Sequence, residues 1–354
     1  MSEVQDRSPL MSEVQDRTIG NDDVLTAQHW RLSRALTIPL WLVIGALAVV
    51  LLMRLIAWDT LQLFAVLDSL TFVIFLPALP IAILAAVGRR FVLAITASVV
   101  MLVQIVIVYP EFASAQPVPG WAVHGPSFRL LDANVFYDNP SMAGYALQVR
   151  HVRPDVLTME EARPTDVAQL KAAGALDGLP YQFEVYGFDP FIFFVASRYP
   201  LTGTRVLRLG EHPLMVQTTL KLPSGPQTLW VLHTIAPLPI SFDQWKRQIS
   251  FVDQQVRSRG AAGLLLVGDF NSTWGNQGFR DILASGLTDA AAARGKPLAM
   301  TWSQTMSPLP PLVRVDHVLT GPDVVAAQIG TVPGPGSDHR ALLATIAVRP
   351  DHSA

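Results

Sequence analysis

Three long apolar stretches dominate the first third of the chain. Ala35–Met53 and Phe91–Tyr109 carry no charged residue, and Thr60–Val87 carries only Asp68. A bilayer core of ~30 Å takes about 20 apolar residues as a helix. Three such stretches in succession are not typical of buried helices in a soluble core. The pattern therefore predicts an N-terminal bundle of three transmembrane helices, at about 35–57, 66–87 and 91–109.

Cations at the ends of these stretches predict their orientation. Arg31 and Arg34 precede the first stretch, and Arg89 and Arg90 separate the second from the third. By the positive-inside rule these ends lie in the cytoplasm, and everything beyond the third stretch lies outside. We therefore expect a multi-pass protein of the cell (inner) membrane, with a disordered cytoplasmic tail over 1–34 and an extracytoplasmic C-terminal part. A transport role is not favoured, because one acidic residue offers little polar lining for a pathway.

After a linker over 110–124, the pattern changes to short apolar runs mixed with helical segments. Several runs are spaced as hairpins while others are separated by helices, which predicts one α/β domain with mixed sheets over 125–350. Helices are predicted at Ser141–Val152 and Phe242–Arg259, and strands at Ser127–Val135, Pro154–Met159, Phe191–Ala196, Leu214–Leu222, Gln227–His233, Leu264–Val267, Val313–Leu319 and Leu342–Val348.

The charge and cysteine content of the chain limit the substrates, cross-links and metal sites that this domain can have. From Glu111 onward the chain has 19 Lys and Arg against 20 Asp and Glu, a net charge of −1. Nonspecific nucleic-acid binders normally carry a basic excess, so this balance argues against a DNA substrate without excluding one. The chain has no cysteine, which excludes a disulfide framework and a thiolate zinc site. The exact repeat of Met1–Arg7 at Met11–Arg17 suggests a duplicated start region and is given no function.

Polar residues recur where the predicted strands begin or end. Asp269 and Asn271 follow an apolar run, and Asp338 and His339 precede one. Taken singly, each of these groups is also what a turn contains, because Gly, Asp, Asn and Ser favour turns. His233 alone is equally well a hydrogen-bonded core imidazole. The remaining candidates are Asn134, the adjacent pair Glu160 and Glu161, and the adjacent pair Asp316 and His317.

Taken together and in order, these residues resemble the endonuclease/exonuclease/phosphatase superfamily, the deoxyribonuclease-like metal-dependent phosphoesterases. The local sequence around these residues is similar to that of the family, as is their order, over residues 127–348. Membrane-anchored bacterial-type members look most similar. The motifs that carry the resemblance are Asn134, Pro154–Glu161, Ser197–Leu201, His233–Pro237, Gly268–Asn271, Val315–Leu319 and Ser337–His339. The chain departs from the family at Glu160, where Gln is usual, which leaves open whether Glu160 also contacts metal.

The resemblance implies a four-layer α/β/β/α sandwich of two mixed β-sheets. It implies a divalent ion, Mg²⁺ with Mn²⁺ or Ca²⁺ as alternatives, held by Glu161 with Asn134 and Asp338 beside it. Asp269 would orient or deprotonate the attacking water, and Asn271 would donate to a phosphoryl oxygen. The resemblance gives the two imidazoles a role as donors to the phosphate: His233, and His339 held by Asp316.

These expectations give a membrane-tethered metal-dependent phosphoesterase that acts by in-line attack of water. The substrate, a lipid or a nucleic acid, stays undecided, and no protein partner is inferred. The alternatives are a nuclease acting on extracytoplasmic nucleic acid and a catalytically silent protein that binds a phosphorylated ligand.

Overall fold

The structure is a computed structural model, and it describes residues 32–56, 59–186, 192–210, 212–304 and 309–350. The predicted disordered tail therefore lies almost wholly outside the described residues.

The N-terminal region forms helices α1 (Arg34–Ile56), α2 (Gln62–Ser69), α3 (Ala78–Val87) and α4 (Phe91–Phe112). Among the described residues, α1 and α4 are the helices long and apolar enough to cross a membrane, while α3 is a shorter apolar helix. The continuous second helix predicted over 66–87 is not formed, because the chain between α2 and α3 runs through turns. Pro77, at the start of α3, has no backbone N–H with which to continue a preceding helix.

Among the described residues, the rest of the chain contributes six helices and twelve strands. The helices are α5 (Gly120–His124), α6 (Ala143–Val152), α7 (Pro164–Ala172), α8 (Phe242–Arg259), α9 (Gln277–Ala284) and α10 (Ala290–Ala293). The strands are β1 (Ser127–Asn134), β2 (Val156–Ala162), β3 (Tyr181–Tyr186), β4 (Ile192–Ser197), β5 (Leu201–Leu209), β6 (His212–Leu222), β7 (Gly225–His233), β8 (Leu264–Asp269), β9 (Thr288–Asp289), β10 (Asp316–Thr320), β11 (Val324–Val332) and β12 (Ala341–Val348).

Two six-stranded sheets form the centre of this domain. Their strand orders are β11-β12-β1-β2-β4-β3 and β5-β6-β7-β8-β10-β9. The pairs β1–β2 and β7–β8 are parallel and the other neighbours are antiparallel, so both sheets are mixed, as predicted. Each parallel pair is connected through a helix, α6 or α8, as parallel pairing requires.

The sheets pack face to face, with helices on both outer faces. Leu130 and Val195 of the first sheet share a buried core with Val231 and Val267 of the second. Tyr145 of α6 packs on the outer face of the first sheet. The corresponding layer on the second sheet comes from α8 and α9, which bury Trp245 and Phe279. The four layers are therefore α/β/β/α.

The predicted linker over 110–124 is not a free connection. It contains the end of α4 and helix α5, and its Glu111 is buried. Arg314, also buried, bridges Glu111 and Asp289 with 2.6 Å contacts to each carboxylate. A buried ion pair that loses one partner leaves an uncompensated charge, so this contact fixes the end of α4 against the sandwich.

Candidate active site

The sequence-predicted residues meet at one end of the sandwich because the strands that carry them are neighbours. His233 ends β7 opposite Asp269 of β8, and Asp316 begins β10 opposite the same Asp269. Asn134 ends β1 in the first sheet, which faces them. Residues more than two hundred positions apart therefore converge on one carboxylate, that of Asp269.

Asp269 is buried and lies at the centre of the cluster. Its Oδ2 accepts a hydrogen bond from Asn134 Nδ2 at 3.0 Å and one from Asn271 Nδ2 at 3.2 Å. Its Oδ1 accepts the backbone N–H of Asn271 at 2.8 Å. The Nε2 atoms of His233 and His339 each lie 3.8 Å from Oδ2. The imidazoles of His233 and His339 therefore both lie beside the Asp269 carboxylate, which can contact a ligand bound between them.

Two asparagines hold this geometry with hydrogen bonds that differ from their predicted roles. Asn134 Nδ2 donates to Asp269 and also to Glu161 Oε1 at 3.0 Å, so it joins the two carboxylates. Asn271 Nδ2 donates to Asp269 and to the backbone oxygen of Thr234 at 2.8 Å. An amide nitrogen has two hydrogens, so both are used in each case. In this arrangement Asn271 positions Asp269 and does not point a donor at a phosphoryl oxygen.

A β-bulge in β2 makes the side chains of Glu160 and Glu161 point in different directions. The register with β4 shifts between Met159 and Ala162, and Glu161 has a positive φ of 56°. Bulges of this kind re-aim side chains near active sites. Glu161 consequently reaches the cluster, with its Oε1 3.4 Å from His233 Nε2. Of the two glutamates, Glu161 is the one that lies in the cluster, and its role as the ion-binding glutamate stays a prediction.

Glu160 is fully buried beneath the site and lies beside the carboxyl of Asp132. Burial, reinforced by Asp132, raises the pKa of Glu160 well above its ordinary value. The neighbouring Asp132 accepts a 2.5 Å hydrogen bond from Thr158, and burial raises its pKa to about 7. Two neighbouring buried carboxyls cannot both ionise cheaply, so at least one of the pair is favoured in its protonated form. No signal in the sequence identified Asp132.

His339 and Asp316 form an ion pair within the cluster. The His339 Nδ1 atom lies 2.9 Å from Asp316 Oδ2, and both residues are buried. Burial alone acts to lower the pKa of His339, but the charge and hydrogen bond of Asp316 outweigh it and raise the pKa to about 10. His339 is therefore a cation at neutral pH. The adjacent His317 points away and bonds Asp289, so Asp316 and His317 are not a local pair.

Asp338 lies at the edge of the cluster. Its Oδ1 is 3.9 Å from His339 Nε2, and its Oδ2 accepts a 2.9 Å hydrogen bond from the indole of Trp302. Trp302 is partly exposed and was not identified from the sequence, where no strand end or motif marked it. The place of Asp338 beside an ion held by Glu161 therefore stays a prediction.

The donor set fits a divalent cation. Among the described residues, two groups have ligand atoms within 4.8 Å of one another: Glu161, His233 and Asp269, and Asp269, Asp316 and His339. Burial, followed by the charge of Asp316, raises the pKa of Asp269 to about 7. Within the described residues, the ion pairs of Glu161 and Asp269 are with His233 and His339 and not with Lys or Arg. Clustered carboxylate oxygens are the ligands that Mg²⁺ and Mn²⁺ prefer in proteins.

The two-sheet fold and this residue cluster are together typical of one class of phosphoesterases and nucleases. The chain belongs to the Endonuclease/Exonuclease/phosphatase family, whose profile matches residues 133–339. Among curated protein sequences there is no match.

Solved structures share the fold at low sequence identity. Truncated TDP2 of Caenorhabditis elegans is 17% identical, with a TM-score of 0.51 over 63% of this chain and 98% of that one. TDP2 of D. rerio, complexed with a single-strand DNA product, is 16% identical, with a TM-score of 0.53 over 63% and 99%. A mannosyl-6-phosphatase of Bacteroides thetaiotaomicron is 15% identical, with a TM-score of 0.51 over 62% and 100%. At these identities the likeness establishes the fold alone.

Proposed function

We propose that the protein is a membrane-tethered, divalent-metal-dependent phosphoesterase that hydrolyses its substrate by in-line attack of water. The single observation that carries the proposal is the convergence of Glu161, Asn134, His233, Asp269 and His339 within hydrogen-bonding or ion-pair distance of one another. Carboxylates, amides and a cationic imidazole around one point suit a reaction in which negative charge builds on phosphoryl oxygens.

Glu161, with His233 and Asp269 beside it, is the residue that would hold the ion, and Mg²⁺ is the proposed species. When bound, such an ion supplies positive charge that offsets the charge of the phosphate. Asn134 keeps the two carboxylates at a fixed separation by donating to both. Asp338 is proposed as an outer contributor, because it lies beside His339 and Trp302.

The side chains around the ion have separate roles in the reaction. Asp269, fixed by two hydrogen bonds from Asn271, orients the attacking water and accepts its proton. His339, kept charged by Asp316, donates to a phosphoryl oxygen as charge develops there. His233, on the other side of Asp269, offers a second donor.

The proposed tether consists of α1 and α4. With 23 residues at 1.5 Å per residue, α1 is about 34 Å long, which matches the ~30 Å bilayer core. Arg34 begins α1, and the side chain of Arg90 donates to the backbone oxygen of Leu32 at 2.9 Å, so cations gather at one end of the helices. Glu111, at the other end, is bound to the sandwich. The positive-inside rule then supports an inner-membrane protein with an extracytoplasmic catalytic domain.

The test uses the full chain in lipid nanodiscs, because α2 and α4 contact the catalytic domain. Hydrolysis of bis(4-nitrophenyl) phosphate is measured with Mg²⁺ or Mn²⁺ for the wild type, Asp269→Ala and the control Asp323→Asn. Asp323 pairs with Arg349 and about half of its side chain is exposed. We expect Asp269→Ala to lose activity by at least about a hundredfold and the control to keep it. Equal rates for wild type and Asp269→Ala in folded, metal-loaded protein would refute the catalytic proposal.

A further inference from the structure

The two loops that leave the site in the second sheet both attach to α2. The loop after His233 presents the Pro237 backbone oxygen, which accepts a hydrogen bond from Gln62 at 3.1 Å. The loop after Asp269 contributes Thr273, whose hydroxyl donates to the backbone oxygen of Ser69 at 3.3 Å. The rim of the site is therefore built partly against the helices of the N-terminal region.

This attachment is tight and polar at its centre. Asp59 is buried, and its carboxylate accepts the backbone N–H of Gln277 at 2.5 Å, at the N-terminus of α9. Asn276 donates to Asp59 at 3.2 Å and to the backbone oxygen of Ala65 at 2.9 Å. Gly275 lies so close to α2 that a Cβ there would be 1.7 Å from the Asp68 backbone oxygen. These contacts fix the direction in which the rim faces.

Exposed apolar side chains surround the attachment. Ile240 is 97% exposed and Leu238 is 57% exposed, in the loop that begins at His233. Leu61 and Leu63 are also exposed, and they flank Gln62, which binds this same loop. We call Leu61, Leu63, Leu238 and Ile240 the apolar rim.

The apolar rim continues the lipid-facing surface of the proposed tether. Leu55 and Ile56, the last apolar residues of α1, are more than half exposed and lead into the α1–α2 junction. Segment 234–241 has no charged residue, and 59–70 has only the buried Asp59 and Asp68. A surface of this kind lacks the cations that hold nucleic-acid phosphates. Exposed apolar patches next to a membrane-crossing helix are suited to contact with lipid.

We infer that the apolar rim rests in the bilayer surface and that the substrate is a membrane phospholipid, whose headgroup phosphoester reaches Asp269 directly from the membrane. This inference rests on the proposed phosphoesterase function and names its substrate class. Leu238 and Ile240 act as lipid contacts and not as catalytic residues.

The position of the rim is tested without reference to activity. The chain has no cysteine, so Ile240→Cys and Leu147→Cys can each be labelled with bimane at one site. Leu147 is 67% exposed and lies on α6, in the outer helix layer of the first sheet. In nanodiscs that contain brominated phospholipid, we expect strong quenching of the label at 240 and little at 147. Equal, weak quenching at both positions would overturn the inference.

The substrate class is tested with the double variant Leu238→Ser, Ile240→Ser and with Leu147→Ser as its control. We expect hydrolysis of phospholipid in the nanodisc to fall at least about tenfold in the double variant, the effect of about 1.4 kcal/mol. Hydrolysis of soluble bis(4-nitrophenyl) phosphate should not change, because the site is intact. Cleavage of the soluble diester without any cleavage of phospholipid, or full phospholipid cleavage by the double variant, would overturn the inference. A wild type that cleaves neither substrate would instead refute the proposed function, while the quenching result would still report the position of the rim.

Discussion

Replacing Asp316 with Asn removes the charge that keeps His339 protonated while preserving the size of the side chain. In the wild type, the Asp316 carboxylate lies 2.9 Å from His339 Nδ1, and it outweighs burial to raise the pKa of His339 to about 10. A raised pKa means that the cationic form persists as pH rises, up to that value. Activity that depends on the cation should therefore hold through neutral pH and fall only as pH passes about 10.

In Asp316→Asn the pKa of His339 should fall below about 10, because burial is then still opposed by Asp269 and Asp338 but no longer by Asp316. At pH values between the lowered pKa and about 10, the imidazole is mostly uncharged in the variant and mostly charged in the wild type. The rate of the variant relative to the wild type should therefore fall as pH rises through this range, by up to about tenfold per pH unit. The loss should be smallest at pH 6, because His339 of the variant is more protonated there and Asp269, whose pKa Asp316 also raises, is more ionised in the variant.

The assay is the pH profile of kcat/KM for bis(4-nitrophenyl) phosphate, measured for the full chain in nanodiscs with saturating Mg²⁺. Asp323→Asn, a surface carboxylate paired with Arg349, serves as the control and should follow the wild-type profile. A loss in Asp316→Asn that is equally large at pH 6 and pH 9 would refute this reasoning. It would show that Asp316 acts by shape and not by sustaining the charge of His339.

Two further predictions concern the contacts between the N-terminal helices and the sandwich. Gly275→Ala places a Cβ 1.7 Å from the Asp68 backbone oxygen, so we expect a loss of about 1–3 kcal/mol in the free energy of unfolding, measured by denaturant titration in detergent. Gly178→Ala, which has no atom within 4 Å of the added Cβ, should change it by less than about 0.5 kcal/mol, and equal effects would contradict the close approach. Arg314→Met leaves the two buried carboxylates that this residue bridges without their cation, and should cost about 3–5 kcal/mol in the same measurement. A change below about 1 kcal/mol would show that the bridge does not hold the end of α4.

Most of the residues that the sequence nominated for the site lie together because they stand at the ends of buried strands, while their roles stay predictions. The apolar run before Asp269 fixes the end of β8, and a polar residue at that point can reach the edge of the sheet. The order of such strand ends along the chain then identified the fold. The paired sheets and the family follow from that order and are confirmed.

Features that depend on distant contacts were not predictable in the same way. Strict strand alternation puts Glu160 and Glu161 on opposite faces but does not say which reaches the site; the bulge between Met159 and Ala162 determines the directions of both side chains. The segment read as one membrane helix is divided, and its first part is bound to the loop that follows Asp269. The local pattern also missed α7, β3, β5, α9, β9, α10 and β11.

The contact between Glu111 and Arg314 is the clearest example of a feature that local sequence patterns do not predict. The two residues are 203 positions apart, and each alone is typical of a solvated surface. Only the packing of the end of α4 against the segment that precedes β10 brings them together and buries them. A linker assignment from composition could not anticipate a buried ion pair.

The most direct test of the account is the Mg²⁺ dependence of hydrolysis by the full chain and by Glu161→Gln, in nanodiscs from which divalent cations have been removed. Glu161 is held by Asn134 at 3.0 Å and lies 3.4 Å from His233, in the group proposed to hold the ion. The account predicts that the wild type is inactive until Mg²⁺ is added, and that Glu161→Gln needs at least about tenfold more Mg²⁺ for its half-maximal rate. Hydrolysis by the wild type that persists without divalent cations, or an unchanged Mg²⁺ requirement in Glu161→Gln, would contradict it.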